Sequence, residues 1–415
     1  MNNEGNKRVL SLLKKHFTII FYCFLVTLFA GYGQSFYIGQ FINSIRQELG
    51  FTRTEISFLY SLATFVASFN LAYLGGLIDK MKVWYFALIT IAIMVISLFW
   101  LSLSYQMISF FIGFYLLRGF GQIVLGLVAS TQIAKLFGKN RGKAQTMSSW
   151  GRSVGEGLWP LVIGLLLVKY SWRETFQFMG VLIIIVLVPA TWFLLRKFPK
   201  YCLYEENESV LRNRSDESKS WKWIDVLRDY KVVGLMVSFA ILPFVATGIF
   251  FQQGSIVEAK GWSEKVIPLS FIFFSISHIF TSYFVGQFID RYSSRKLLPF
   301  MLWPLTISVI LLAFFDQAFI GPLSFSFLGI AVGMSSLTRN SFWAETFGTE
   351  SIGRIKGMDS NILVVGTSIA PVFFAKLLDL GVTLRELMLI LLVITFFGNV
   401  AFYAFNKIYK KSENL

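Results

Sequence analysis

The sequence predicts an all-α membrane protein with twelve transmembrane helices in two pseudo-symmetric six-helix halves. Three observations predict it. The 415 residues are 55% hydrophobic and only 15% charged, with a mean hydropathy of +0.63, whereas a soluble domain carries about 25% charged residues. Twelve mostly apolar runs each reach the roughly 20 residues that a bilayer-spanning helix needs. A short motif also returns at a long offset: Gly75-Gly76-Leu77-Ile78-Asp79-Lys80 is answered 211 positions later by Gly286-Gln287-Phe288-Ile289-Asp290-Arg291.

The apolar runs lie near 17–42, 55–78, 84–104, 107–135, 144–168, 175–195, 232–256, 266–288, 297–315, 319–345, 356–378 and 384–407. The first is too long for a signal peptide and lacks a small-residue cleavage site. Most connections are short, which favours antiparallel neighbours. The exception is 196–231, polar and rich in charge of both signs, which divides the chain into an N-terminal half (1–195), a linker and a C-terminal half (232–415). Within it, Trp221 to Leu227 reads either as a short interfacial helix or as ordinary solvated linker.

Lys and Arg orient the chain. With both termini in the cytoplasm, 27 of them fall on cytoplasmic segments, 8 on external loops and 3 inside spans. So one-sided a distribution places both termini in the cytoplasm. It also accounts for the net charge of +15 without nucleic acid. Asn207-Glu208-Ser209 and Asn213-Arg214-Ser215 match the glycosylation pattern but fall on the cytoplasmic side. Cys23 and Cys202 are too few for a disulfide framework. No metal-ligand cluster, nucleophile with a base, or phosphate-binding glycine loop is visible, so the sequence points to no enzyme and no cofactor.

The repeat is wider than one motif. Gly50-Phe51 answers Gly261-Trp262, and Gly155 and Pro160 answer Gly366 and Pro371, all at the same offset of 211. Leu136-Phe137-Gly138 answers Thr346-Phe347-Gly348 with a one-residue slip. On these residues the chain resembles the major facilitator superfamily. Gly75, Asp79, Lys80 and Lys82 partly match that family's signature between spans two and three, and Gly286, Asp290, Arg291, Arg295 and Lys296 match it better. Arg118-Gly119-Phe120-Gly121-Gln122 resembles its fourth-span motif, and Gly155 to Pro160 its fifth-span Gly/Pro motif. Gly33-Gln34-Ser35-Phe36 and Leu49-Gly50-Phe51-Thr52 are similar to the oxalate–formate and monocarboxylate group. That group tends to carry a cation in spans eight and eleven, where this chain has only His278 and no central cation.

The resemblance implies a secondary transporter whose halves rock about a site near the bilayer midplane. It implies a gate at Gly75, Asp79, Lys80, Gly286, Asp290 and Arg291, where each Asp contacts a helix N-terminus and a nearby arginine. As plain surface acids the two aspartates would matter little.

Charge inside spans is costly, about 2.5–3.5 kcal/mol at the bilayer centre, so such residues face a cavity or a partner. Arg118, Arg152, Glu156 and Arg339 stand out, with a formal excess of +2 that suits an anion. Guanidinium also binds carboxylate bidentately. Arg152 and Glu156 are four apart on one helix face, so they form either a self-satisfied pair or part of a binding and proton-relay site. Glu156 is the candidate proton-coupling carboxylate; His278 is a second, or a packed core histidine. Tyr32, Gln34, Tyr37, Asn70, Gln122, Gln252, Gln253, Asn340 and Asn361 supply uncharged polar groups, and Tyr32, Gln34, Asn70, Gln252 and Asn340 join the three arginines as expected substrate contacts.

The expected activity is transport of a small carboxylate-type anion by alternating access, coupled to protons or a counter-anion. The chain would work as a monomer in a plasma or bacterial inner membrane, with the lipid bilayer and a small molecule as its partners. The alternative on the same fold is movement of drug-like or siderophore-type compounds. A non-transporting membrane sensor would need a signalling domain, which nothing here resembles.

Overall fold

The structure is a computed structural model. It describes the backbone of residues 3–80, 83–137, 141–197, 229–347 and 352–412. Side chains are described within these ranges except for 3–15, 70–80, 134–135, 141–143, 195–197, 352–354 and 408–412. Most of the expected linker, with Trp221 to Leu227 and both glycosylation patterns, lies outside the described residues.

All twelve expected spans are helical, and no strand occurs among the described residues. We number the long helices α1 (Asn3–Phe29), α2 (Arg53–Lys80), α3 (Val83–Ser102), α4 (Met107–Leu116, Leu117–Val124 and Leu125–Phe137 in series), α5 (Arg141–Leu167) and α6 (Trp172–Lys197). The series continues with α7 (Tyr230–Phe251), α8 (Val266–Tyr292), α9 (Trp303–Phe314), α10 (Ile320–Phe347), α11 (Ile352–Asp379) and α12 (Leu384–Ser412). Ten of these lie in helical stretches long and apolar enough to cross a membrane among the described residues, α9 together with the 3₁₀ segment Ser294–Phe300 before it. The other two, α2 and α5, are 28 and 27 residues long. In α5 the polar residues Arg152 and Glu156 dilute the apolar run.

Three helix starts follow one local rule. A Ser or Thr with Glu three residues on satisfies the free N–H groups of the first turn reciprocally. At α2, the Thr52 amide and hydroxyl donate to Glu55 (2.8 and 2.9 Å) while the Glu55 amide donates to the Thr52 hydroxyl (3.1 Å). Ser171 and Glu174 repeat the box at α6, and Thr383 and Glu386 at α12. Gly50 and Gly261, paired by the repeat, both adopt left-handed backbone (φ 72° and 63°), which glycine alone reaches without steric cost. Gly261 closes the helix before α8: its N–H reaches the Glu258 carbonyl, and that of Trp262 reaches Val257.

The chain folds as two compact units, one of residues 1–45 with 62–206, the other of 46–61 with 207–415. In the first unit α5 packs on α1; in the second α11 packs on α7, the equivalent pair under the repeat. Glycines set the first approach: a Cβ on Gly151 would collide with the Phe24 carbonyl, and one on Gly155 would lie 2.9 Å from the Leu28 carbonyl. Small residues at such crossings let helix backbones meet.

Candidate functional site

In the first unit the centre of interest is a break in the first span. After Phe29 the chain tightens into a 3₁₀ turn (Ala30–Gly33), becomes extended at Gln34, and resumes as a short helix at Ser35–Ile38. Facing it, α4 loosens into a π-helical stretch at Leu117–Val124. The run Arg118-Gly119-Phe120-Gly121-Gln122 holds two glycines, poor helix formers that let the register slip. A Cβ on Gly33 would sit 2.6 Å from the Leu117 carbonyl oxygen and 2.7 Å from the Gln122 amide nitrogen. The two irregular backbones therefore touch, and only glycine fits between them.

Arg118 belongs to this junction. Its guanidinium is buried, and Nη1 donates to the Gly33 carbonyl at 2.9 Å. Broken helices free such carbonyls at membrane depth. Tyr32 is fully buried, stacked on Tyr37 (4.5 Å between ring centroids) and edge-on to Trp159 (4.8 Å). The Tyr37 hydroxyl and the Gln122 side-chain oxygen are buried without a hydrogen-bond partner. Gln34 is half-buried; its carbonyl accepts from the amides of Tyr37 and Ile38. Glu156 is buried on α5, whereas Arg152, one turn earlier, is exposed. The side chains of Asn70, Gly75, Asp79 and Lys80 lie outside the described residues, although the helix carrying them runs to Lys80.

The second unit holds three polar groupings. One is built on Arg339 of α10 and Asp359 of α11, whose Nε and Oδ2 are 3.4 Å apart. Asp359 is 3% exposed at its side chain and Arg339 20%. Asp359 escapes the sequence reading because it stands near the polar start of its span, between Lys356 and Asn361. A lone acid inside an apolar run was the available signal. With it, the in-span arginines face two acids rather than one.

The second grouping surrounds Arg53, at the start of α2. Its Nη2 is 2.9 Å from Glu258, its Nε donates to Ser255 (3.1 Å), and Nη1 lies 3.8 Å from Asp379. Asp379, the last residue of α11, also accepts from the Thr54 amide (2.8 Å) and hydroxyl (2.7 Å), so a carboxylate caps the α2 N-terminus. Burial first, and then the Arg53 guanidinium, lower the pKa of neighbouring Arg46 from its usual value. Nearby, Gln252 interrupts α7 and is buried; its Nε2 donates to Ser57 (3.0 Å) and toward the Pro371 carbonyl (3.4 Å).

The third grouping lies at the end of α8. Asp290 and Arg291 are exposed, and Arg291 rests against the Tyr292 ring at 5.1 Å. A Cβ on Gly286 would meet only Leu337, at 3.9 Å. Here a different acid caps a helix start: Glu345, near the end of α10, accepts from the Ser293 hydroxyl (2.6 Å) and the Ser294 amide (3.1 Å). His278 is buried beside Phe274, its backbone close against Gly329 and Gly333 of α10. Asn340 is exposed and donates to the Ser336 carbonyl of its own helix (2.7 Å). The expected site residues thus fall into separate groups within each unit: Arg118 with Tyr32 and Gln34 in the first, Arg339 with Asp359 in the second.

A family model described as Major Facilitator Superfamily matches residues 23–371. Among solved structures the chain is similar to the nucleoside transporter NupG, at 15% identity and a TM-score of 0.72 over 95% of this chain and 98% of that one. It is also similar to a bacterial homolog of the human lysosomal transporter Spinster in an inward-facing and occupied conformation, at 13% identity and a TM-score of 0.72 over 94% of this chain and 96% of that one. At these identities the likeness shows the fold. No curated protein matches the sequence significantly.

Proposed function

This chain belongs to the Major Facilitator Superfamily, and we propose that it is a secondary transporter that moves a small carboxylate-type anion by alternating access, coupled to protons or a counter-anion. The family makes it a multi-pass membrane transporter rather than an enzyme. One observation carries the anion: Arg152 lies twelve residues into the 27-residue α5 and is exposed there. A guanidinium in the middle of a span does not face hydrocarbon; it faces water or a substrate. Glu156, buried one turn on, is the first unit's candidate for the coupled proton. The Gly33-Gln34-Ser35-Phe36 segment, similar to the oxalate–formate and monocarboxylate group, supports the same substrate class. In this reading the six-helix halves, 1–195 and 232–415, work as a monomer with both termini in the cytoplasm.

The test is thermal stabilisation of the purified full chain by acetate, oxalate, succinate and citrate, against organic cations and neutral sugars. We expect at least one carboxylate to raise the melting temperature, and Arg152→Ala to remove that rise. Stabilisation confined to a cation would overturn the anion. Uptake of every tested carboxylate unchanged in Arg152→Ala would remove Arg152 from the site.

A further inference from the structure

The start of α2 folds apart from the rest of its helix. Residues 46–61 belong to the second unit and 62–80 to the first, although α2 is one helix throughout. What binds that start to the second unit is a continuous polar seam. Arg53 Nη2 lies 2.9 Å from Glu258, Nη1 lies 3.8 Å from Asp379, and Nε donates to Ser255 (3.1 Å). The Ser255 hydroxyl donates to Gln252 Oε1 (3.3 Å). Gln252 Nε2 then returns to α2 at Ser57 (3.0 Å) and also points to the Pro371 carbonyl of α11 (3.4 Å). Polar contacts thus run without a gap from the exposed Glu258 to the buried break in α7. Beside them Tyr60 rests on Phe251, the last residue before the break, with ring centroids 4.6 Å apart.

Two features suit this seam to open. Its ion pairs sit at the water edge, where Arg53, Glu258 and Asp379 are all partly exposed, and such pairs hold weakly. The start of α2 also stays helical without the second unit. Thr52 and Glu55 cap each other from within the helix, and it is the Thr54 amide and hydroxyl that draw on Asp379. The helix can therefore leave whole. The seam is also one-sided. At the offset of 211, Arg53, Glu258 and Asp379 correspond to Glu264, Gln47 and Val168. The charge is reversed at the first and absent at the other two, so the repeat cannot build the same seam twice.

We propose that residues 53–61 are a releasable strap: Arg53, shared between Glu258 and Asp379, latches the start of α2 onto α7 and α11, and bending at Gln252 lets it go. Bending is easiest there because Gln252 already departs from helical backbone (φ −95°, ψ 20°). Ser255 and Glu258 both lie on the short helix Gln253–Lys260 that follows, so movement at the break carries them away from Arg53 together. Asp379, the last residue of α11, holds the strap from the other side through Arg53 and Thr54. In the orientation of the reading above, the start of α2 is external, and release exposes its Ser57 and Ser61 face to the outside. That sidedness rests on that reading; detachment itself does not.

Thiol labelling of the purified full-length protein tests detachment without any substrate. With Cys23→Ala and Cys202→Ala in place, Ser61→Cys puts one thiol on the face of α2 that carries Ser57. Ser270→Cys puts one on α8 as a control; both serines are buried. A maleimide should label Ser61→Cys slowly when the seam is intact. Arg53→Ala or Asp379→Asn should speed it about tenfold, the factor that about 1.4 kcal/mol makes. Glu258→Gln, at an exposed position, should give a smaller rise and serves where Arg53→Ala does not fold. Ser270→Cys should label alike in all of them. Thr54→Cys with Asp379→Cys, whose native oxygens are 2.7 Å apart, should cross-link on mild oxidation. Labelling at Ser61→Cys, read by mass spectrometry, should then stop, and return on reduction. Unchanged labelling at Ser61→Cys in all three seam variants, or an equal rise at both cysteines, would overturn the strap. So would labelling that continues through the cross-link, because Ser61 would then be reached with the start of α2 still attached.

Discussion

Arg118 and Arg339 are the same residue type within a span of each unit, the first buried and the second partly exposed, and they are held differently. Arg118 donates to a backbone carbonyl, Gly33, exposed where the first span breaks. Arg339 faces a side-chain carboxylate, Asp359, on the next helix. A carbonyl cannot take up a proton at any working pH, so it keeps its grip under all conditions. A carboxylate can be neutralised by one proton and lets go. The first contact therefore serves to fix two irregular backbones together, and the second is suited to change during a cycle. Residue type alone does not distinguish them; the chemistry of the acceptor does.

The largest effect should come from Arg339→Ala, which leaves Asp359 as a buried charge without its partner. Breaking such a pair costs about 3–5 kcal/mol, whereas replacing both members is far milder. The double variant Arg339→Ala with Asp359→Ala should thus recover much of the loss in a melting experiment. A double variant no better than the single would break the comparison. Arg118→Ala should cost about 1.5–3 kcal/mol, the scale of a hydrogen bond to a charged group. Its Gly33 acceptor is backbone and cannot be removed by a second substitution. Gly33→Ala tests the seat itself: the added Cβ meets backbone atoms at 2.6 and 2.7 Å that have nowhere to retreat. We expect a loss of about 1–3 kcal/mol, with Gly286→Ala, where only Leu337 is near, as the tolerated control. Smallest is Asp290→Asn, which should change stability by no more than about 0.5 kcal/mol because the residue is exposed. The gate that the family resemblance implies is tested by thiol-probe accessibility, which should change more in Asp290→Asn than in Asp79→Asn. The reverse order would show that motif completeness does not measure gate strength.

Much of this architecture was legible in the chain. Apolar runs locate the helices because the bilayer demands a minimum length and internal hydrogen bonding. The offset of 211 predicts paired elements, and the structure gives Gly50 and Gly261 the same left-handed turn. The helix starts at Thr52, Ser171 and Thr383 were readable too, from Glu three positions on. The site was less so. Apolar spacing cannot reveal the π-helical slip at Leu117–Val124, which depends on what Gly33 presses against. Nor could spacing bring Asp359 to Arg339, twenty positions apart on antiparallel helices. Asp379 and Glu345 take capping positions that sequence had no means of assigning, because each acts on an element distant in the chain.

The turn after α8 has one more property. Ser293 sits at φ 103°, the only non-glycine residue at positive φ among those described. A side chain there stores strain of about 1–3 kcal/mol that its surroundings must hold in place. Glu345 supplies the restraint by gripping both the Ser293 hydroxyl and the next amide. The joint between α8 and α9 is therefore cocked like a latched spring. The backbone at this joint is thereby tied to the end of α10 through one carboxylate.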